Sequence, residues 1–205
     1  MDGSLFRWVN RLADRTGWAH GMFTAYAKYG IVLFAVLLLV AYLDARQHAD
    51  FPAIAGSVWA AGAALVALGV GQLIGGAVDR ARPYEAMTGV HLLIDRTTDF
   101  SFPSDHATVV GAVAGGLLLS NRRWGTIAAV LAVLMAFTRV YVGAHYPGDV
   151  VAGLALGAVV AAAGRPLVVP LLSRLAARLG RSRVGPLLTN AGRPQHDAHA
   201  VGGSD

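Results

Sequence analysis

Two histidines, three arginines, a serine and two aspartates stand at the ends of apolar runs in a chain that is otherwise poor in charge. Arg80 and Arg82 precede Pro83; Ser104, Asp105 and His106 close a polar loop and open an apolar run; Arg139, His145 and Asp149 follow one further apolar run later. These residue types suit a phosphate group. Arginine presents a planar fork that matches phosphate oxygens, so Arg82 and Arg139 can clamp one from two directions. Ser104 sits where backbone N–H groups at a helix start attract anions. Histidine is the side chain best suited to attack phosphorus or pass a proton near neutral pH. His145 and Asp149 are four residues apart across a Pro-Gly turn, a spacing that lets a carboxylate hold one ring nitrogen and leave the other free.

Other chemistries are less attractive. Cysteine is absent, which excludes disulfides and thiolate sites. No second carboxylate pair or Cys/His set at metal-ligand spacing occurs, so neither metal nor cofactor is assigned. His196 and His199 in the tail are read as incidental. The net charge of +5 comes from few charges spread near the motifs and the apolar runs, which suits lipid headgroups and not nucleic acid.

The elements that must position these groups are membrane helices. Hydrophobic residues make up 55% of the chain and charged ones 14%, against roughly 25% charged in soluble domains, so a bilayer is the expected solvent. The expected fold is all-α: one polytopic transmembrane bundle over residues 1–183, then a disordered tail over 184–205. Five spans are expected, at 25–43, 51–78, 107–121, 124–142 and 150–164. The second carries no charge over 28 positions, more than a bilayer core requires. The third and fifth are short unless His106 and Asp149 lie at the interface, and polar groups at that depth are functional by default. Residues 4–20 read as an interfacial amphipathic helix with Leu5, Trp8, Val9 and Leu12 on its apolar face. Beyond Gly164, two prolines interrupt a stretch that becomes basic; a surface helix on an anionic leaflet is expected, with a sixth short span as the alternative. The pairs Gly71/Gly75, Gly111/Gly115 and Gly153/Gly157 allow close helix approach, within one chain or between two, so no oligomeric state is assigned.

Five spans place the 79–106 and 143–149 loops on the same side. Leaving out Arg80, Arg82 and Arg139, that side carries five Lys and Arg against nine opposite, which puts the motifs outside the cytoplasm of a plasma-membrane protein.

At these positions, over Arg80 to Gly153, the sequence resembles the type 2 phosphatidic acid phosphatase superfamily, whose signatures are Lys-x6-Arg-Pro, Pro-Ser-Gly-His and Ser-Arg-x5-His-x3-Asp. The stretches from Ser101 to Thr108, with Asp105 in place of glycine, and from Tyr141 to Asp149 are similar to bacitracin-resistance-type undecaprenyl diphosphate phosphatases. The resemblance implies a metal-independent enzyme. In it His145 is a nucleophile that forms a phosphohistidine, Asp149 orients it, and His106 protonates the leaving oxygen. Arg82, Ser104 and Arg139 hold the phosphoryl, helped by the backbone at Asp105 and His106. Two positions depart from the signatures: Gly75 replaces the first-motif lysine and Thr138 the third-motif serine. Arg80 is the expected substitute for that lysine. The implied reaction removes the terminal phosphate of a polyprenyl diphosphate. The rivals are another lipid phosphate (phosphatidylglycerophosphate, phosphatidic acid or a polyprenyl-phosphoryl sugar phosphate) and a carrier that binds lipid phosphate without hydrolysis.

Overall fold

The Asp50 carboxylate accepts from the Ala53 N–H at 2.9 Å, and Pro52 follows in the first turn, so the longest charge-free run begins at a capped helix start. That helix is one of seven in the computed structural model, which describes residues 2–180. They are α1 (Asp2–Arg15), α2 (His20–Gln47), α3 (Phe51–Val78), the short α4 (Pro83–Ala86), α5 (Asp105–Leu118), α6 (Arg122–Tyr141) and α7 (Pro147–Leu179); a 3₁₀ turn, Gly17–Ala19, joins α1 to α2. No strand occurs among the described residues. The expectations for the tail from Val184, with His196 and His199, lie outside them.

Four segments are long and apolar enough to cross a membrane: Gly17–Gln47, Phe51–Ala86, Arg122–Tyr141 and Pro147–Leu179. The 14-residue α5 is apolar but shorter. It occupies the centre of the bundle, between α3, α6 and α7. Glycines let it do so. Gly111 and Gly115 lie against the backbone of Leu154 and Ala158 on α7, while Gly153 and Gly157 lie against Ser104, just before α5, and against Thr108 and Ala112 on it. Two of the three small-residue pairs thus interlock within one chain, in the close backbone contact typical of lipid-embedded helices. Phe34, Val110, Leu117 and Met135 fill the bundle's centre, and Phe6, Val140, Tyr141 and Tyr146 fill the end beneath the motif loops.

Two elements differ from expectation. The segment after Gly164 is no separate surface helix, because α7 runs unbroken through Pro166 and Pro170 to Leu179. The prolines are four apart, so their missing N–H groups fall on one side of the helix, and the Leu, Val and Ala around them keep the rest of the ladder intact. Arg165 adds an anchor by donating to the Leu119 carbonyl at 2.8 Å. α1, in turn, is apolar on two faces. Phe6, Val9 and Ala13 are buried against the bundle, whereas Leu5 and Trp8 point away from it. Asn10 fixes that docking: its side-chain amide donates to the carbonyls of His91 (2.8 Å) and Tyr141 (3.0 Å) and accepts from the His91 N–H.

Candidate active site

The loop between α3 and α5 folds over the start of α7, which brings the three motif stretches to one end of the bundle. Pro147 and Asp149 explain the turn there: proline suits a first helical turn, and the Asp149 carboxylate accepts from the Tyr146 N–H at 2.9 Å, as capping residues do. α5 is tied to the same turn by the Ser104 N–H, which donates to the Asp149 carbonyl at 3.1 Å.

His145 is almost fully buried. Its Nδ1 lies 2.8 Å from the Ser101 carbonyl and its Nε2 lies 3.1 Å from Nη1 of Arg82. A carbonyl only accepts and a guanidinium only donates. The ring is therefore neutral, with its proton on Nδ1 and a lone pair on Nε2. Its surroundings favour that state: burial first, then the charges of Arg139 and Arg82, hold its pKa well below the usual histidine value.

Asp149 sits 3.9 Å from Nδ1 of His145, too far for a hydrogen bond. Its Oδ2 accepts from Ser101 Oγ at 2.6 Å, and its Oδ1 accepts from Arg80. The carboxylate thus acts on the ring through charge and through the Ser101 segment. Arg80, expected at the phosphate, is occupied elsewhere: it joins Asp149 to Asp2 of α1, donating to the latter at 2.6 Å, and stacks 4.0 Å over the Tyr146 ring. Asp2 is fixed in turn by the Gly148 N–H at 2.9 Å.

Arg82 is buried and held by Asp99, to the carboxylate at 2.9 Å and to the carbonyl at 3.2 Å, and it also donates to the Ala144 carbonyl. Burial pushes the Asp99 pKa up, but hydrogen bonding from Thr97 and the charge of Arg82 outweigh it and hold the carboxyl below its usual value. Ser101, Asp99 and Asp2 were not singled out in the sequence. Ser101 lies inside the second motif stretch and Asp99 in the polar run before it, so proximity was the only signal; nothing marked Asp2.

Ser104 is completely buried and its hydroxyl has no partner; Nε of the buried Arg139 has none either, while its Nη1 reaches the Ala27 carbonyl at 3.4 Å. Unpaired buried polar groups are rare and point to a missing ligand or water. Arg139 and His106 line a cavity of about 640 Å³ between α2 and the loop 92–97. Asp105 faces the other way, its carboxylate taking both bonds from the Gln72 amide (2.9 and 2.8 Å). At Gly75, a Cβ would stand 3.1 Å from the Phe102 carbonyl and 3.2 Å from the Phe100 ring, so those groups fill the space a side chain would need.

The fold is similar to the crystal structure of Aquifex aeolicus LpxE, with a TM-score of 0.58 and 24% identity over 78% of this chain and 92% of that one. Undecaprenyl-diphosphatase BcrC of Bacillus subtilis (strain 168) is 30% identical over 164 residues, 78% of this chain and 80% of the relative. Putative undecaprenyl-diphosphatase YbjG of Escherichia coli (strain K12) is 34% identical over 159 residues, 75% and 76% of the two chains. The PAP2 superfamily model matches residues 56–171, which include every arginine and histidine of the site. The chain belongs to the PAP2 superfamily.

Proposed function

We propose that this protein removes the terminal phosphate of a polyprenyl diphosphate through a phosphohistidine on His145, without a metal ion and from the non-cytoplasmic side of the plasma membrane. The observation that carries the reading is the Nε2 lone pair of His145, held neutral beside Arg82. The unpaired Ser104 hydroxyl and Arg139 Nε support it as donors for phosphoryl oxygens. The relatives named as undecaprenyl-diphosphatases support the choice of substrate.

In this scheme Nε2 attacks the terminal phosphorus and the bond from phosphorus to the bridging oxygen breaks. His106, protonated beside the bound phosphate, gives its proton to the departing lipid phosphate. Arg82, Arg139 and Ser104 hold the three equatorial oxygens, the arrangement on which phosphoryl transfer mainly depends. The Nδ1–H bond to the Ser101 carbonyl keeps the ring in place, and the nearby Asp149 carboxylate offsets the positive charge the ring acquires. Water then attacks phosphorus, His106 takes its proton, and the P–N bond returns its electrons to Nε2.

Purified protein in detergent with EDTA, presented with polyprenyl diphosphate, phosphatidylglycerophosphate and phosphatidic acid, tests the scheme. Turnover of the diphosphate is expected, with an acid-labile, alkali-stable phosphoenzyme that His145→Ala abolishes along with several orders of magnitude of rate. Strict dependence on added divalent ions, or full activity in His145→Ala, refutes it.

A further inference from the structure

The chain contains a single lysine, Lys28, and it lines the cavity that reaches His106 and Arg139. We propose that Lys28 is the subsite for the second, lipid-linked phosphate of a diphosphate substrate, and so makes the enzyme prefer diphosphates to monophosphates. This rests on the phosphatase reading above.

The placement supports it. His106 and Arg139 share the cavity lining with the α2 turn bearing Thr24, Ala27 and Lys28 and with the loop 92–97. Arg139 bonds the Ala27 carbonyl, so the residue that clamps the transferred phosphoryl is tied to the one preceding the lysine. A phosphoryl held by Arg139 beside His106 leaves the neighbouring phosphate room within the same cavity. Neither Arg82, placed beside His145, nor Arg80, held by Asp2 and Asp149, lines this cavity. Nor does position 75, where Phe100 and Phe102 take up the space.

Lys28 is available. Its ammonium lies 3.7 Å from the Asp95 carboxylate, and neither side chain is buried in the bundle. Exposed pairs of this kind contribute little, so exchanging Asp95 for a phosphate costs little. A flexible four-carbon stem and three donors suit an oxygen cluster whose position shifts as the P–O bond breaks. When the lipid phosphate departs with its added charge, Lys28 is the neighbouring cation. A monophosphate has no second phosphate to offer Lys28, only its alkyl chain.

The alternative is that Lys28 merely anchors α2 at the headgroup level. The two readings separate on substrate choice. Wild type, Lys28→Ala and Lys28→Arg are assayed on farnesyl diphosphate and farnesyl monophosphate in the same detergent. Where the monophosphate is not turned over, its inhibition constant against the diphosphate takes the place of kcat/KM. Loss of one charge-assisted contact predicts a fall of about tenfold to hundredfold in kcat/KM for the diphosphate in Lys28→Ala. Less than a twofold change is expected for the monophosphate, and Lys28→Arg recovers most of the loss.

A binding readout accompanies it. In His145→Ala, farnesyl diphosphate should protect Lys28 from reductive methylation, read by peptide mapping, while farnesyl monophosphate should not. Equal loss on both ligands, no loss on the diphosphate, or equal protection by both overturns the subsite. If wild type hydrolyses neither compound nor any longer-chain lipid phosphate, the phosphatase reading itself fails instead.

Discussion

Arg80 takes Oδ1 of Asp149, the carboxylate oxygen that is not nearest His145, and carries the contact on to Asp2 of α1. A helix with no motif residue is thereby joined to the site. A phosphate-contacting Arg80 would show in KM and in inhibition by inorganic phosphate. A bracing Arg80 shows in kcat. We expect Arg80→Ala to lower kcat by about tenfold to hundredfold, the effect of losing a charged hydrogen bond, with KM and phosphate inhibition within twofold of wild type. Arg80→Lys should restore part of the rate, and Asp2→Asn should reproduce the loss in milder form. A raised KM with kcat intact assigns Arg80 to the phosphate after all.

His145 sets the acid side of the pH profile. Burial, then Arg139 and Arg82, lower its pKa, so the unprotonated nucleophile persists below the usual imidazole pKa of about 6.5. The acid limb of kcat/KM should therefore lie below that value. Arg82→Ala removes one of the neighbouring cations and should move the limb of its residual activity upward. The same shift carries a stability sign. Below pH ~6.5 the unfolded chain takes up a proton that the folded ring refuses, so stability falls as the pH drops from there towards the folded pKa. An acid limb at or above pH 6.5 in wild type contradicts the burial of this ring.

The two serines of the site should respond in opposite ways. Ser104 Oγ is buried without a partner, so Ser104→Ala removes an unpaired hydroxyl and should leave thermal stability unchanged or slightly raised, while weakening inhibition by phosphate. Ser101 Oγ bonds Asp149 Oδ2 at 2.6 Å, and Ser101→Ala removes that bond to a charged group, leaving the oxygen with the Tyr146 N–H as its hydrogen-bond donor. About 1–3 kcal/mol of stability should be lost, with phosphate inhibition little altered. Thermal melts with and without phosphate distinguish the pair; a Ser104→Ala protein that melts lower and binds phosphate normally reverses the assignment.

The sequence marked the stretches around Arg82, Ser104 and His145, and for a physical reason: in a chain short of charge, polar clusters stand out where apolar runs end. It was also accurate for α3, whose bounds Phe51 and Val78 follow from the lack of any charge between them. Contacts inside the site were less legible. Whether Asp149 meets His145 or Ser101, and whether Arg80 faces phosphate or carboxylate, depends on the path of the loop from Asp79 to Ser104, which has no hydrophobic period to read. α7 was cut short at Gly164 because prolines usually end helices in water. α1 was given one apolar face because Phe6 and Ala13, which turn inward, lie beside the face on which Leu5 and Trp8 were placed.

Glycines on the spans separate packing from composition. At Gly157 a Cβ would fall 2.1 Å from the Thr108 carbonyl oxygen and 2.4 Å from the Ala112 nitrogen, backbone atoms that no rotamer change can move. At Gly69 on α3 a Cβ meets nothing within 4 Å. Alanine is the better helix former at either site by up to about 1 kcal/mol. Gly69→Ala should thus be neutral or stabilising. Gly157→Ala should cost about 1–3 kcal/mol or more through overpacking. The strain also has a direction: α7 can relieve it only by moving off α5, which follows Ser104 and carries His106 in its first turn. Activity should therefore fall further than melting temperature alone predicts, measured at a temperature where the variant remains folded. If Gly157→Ala keeps wild-type turnover there, the α5–α7 contact does not set the distance between the two histidines.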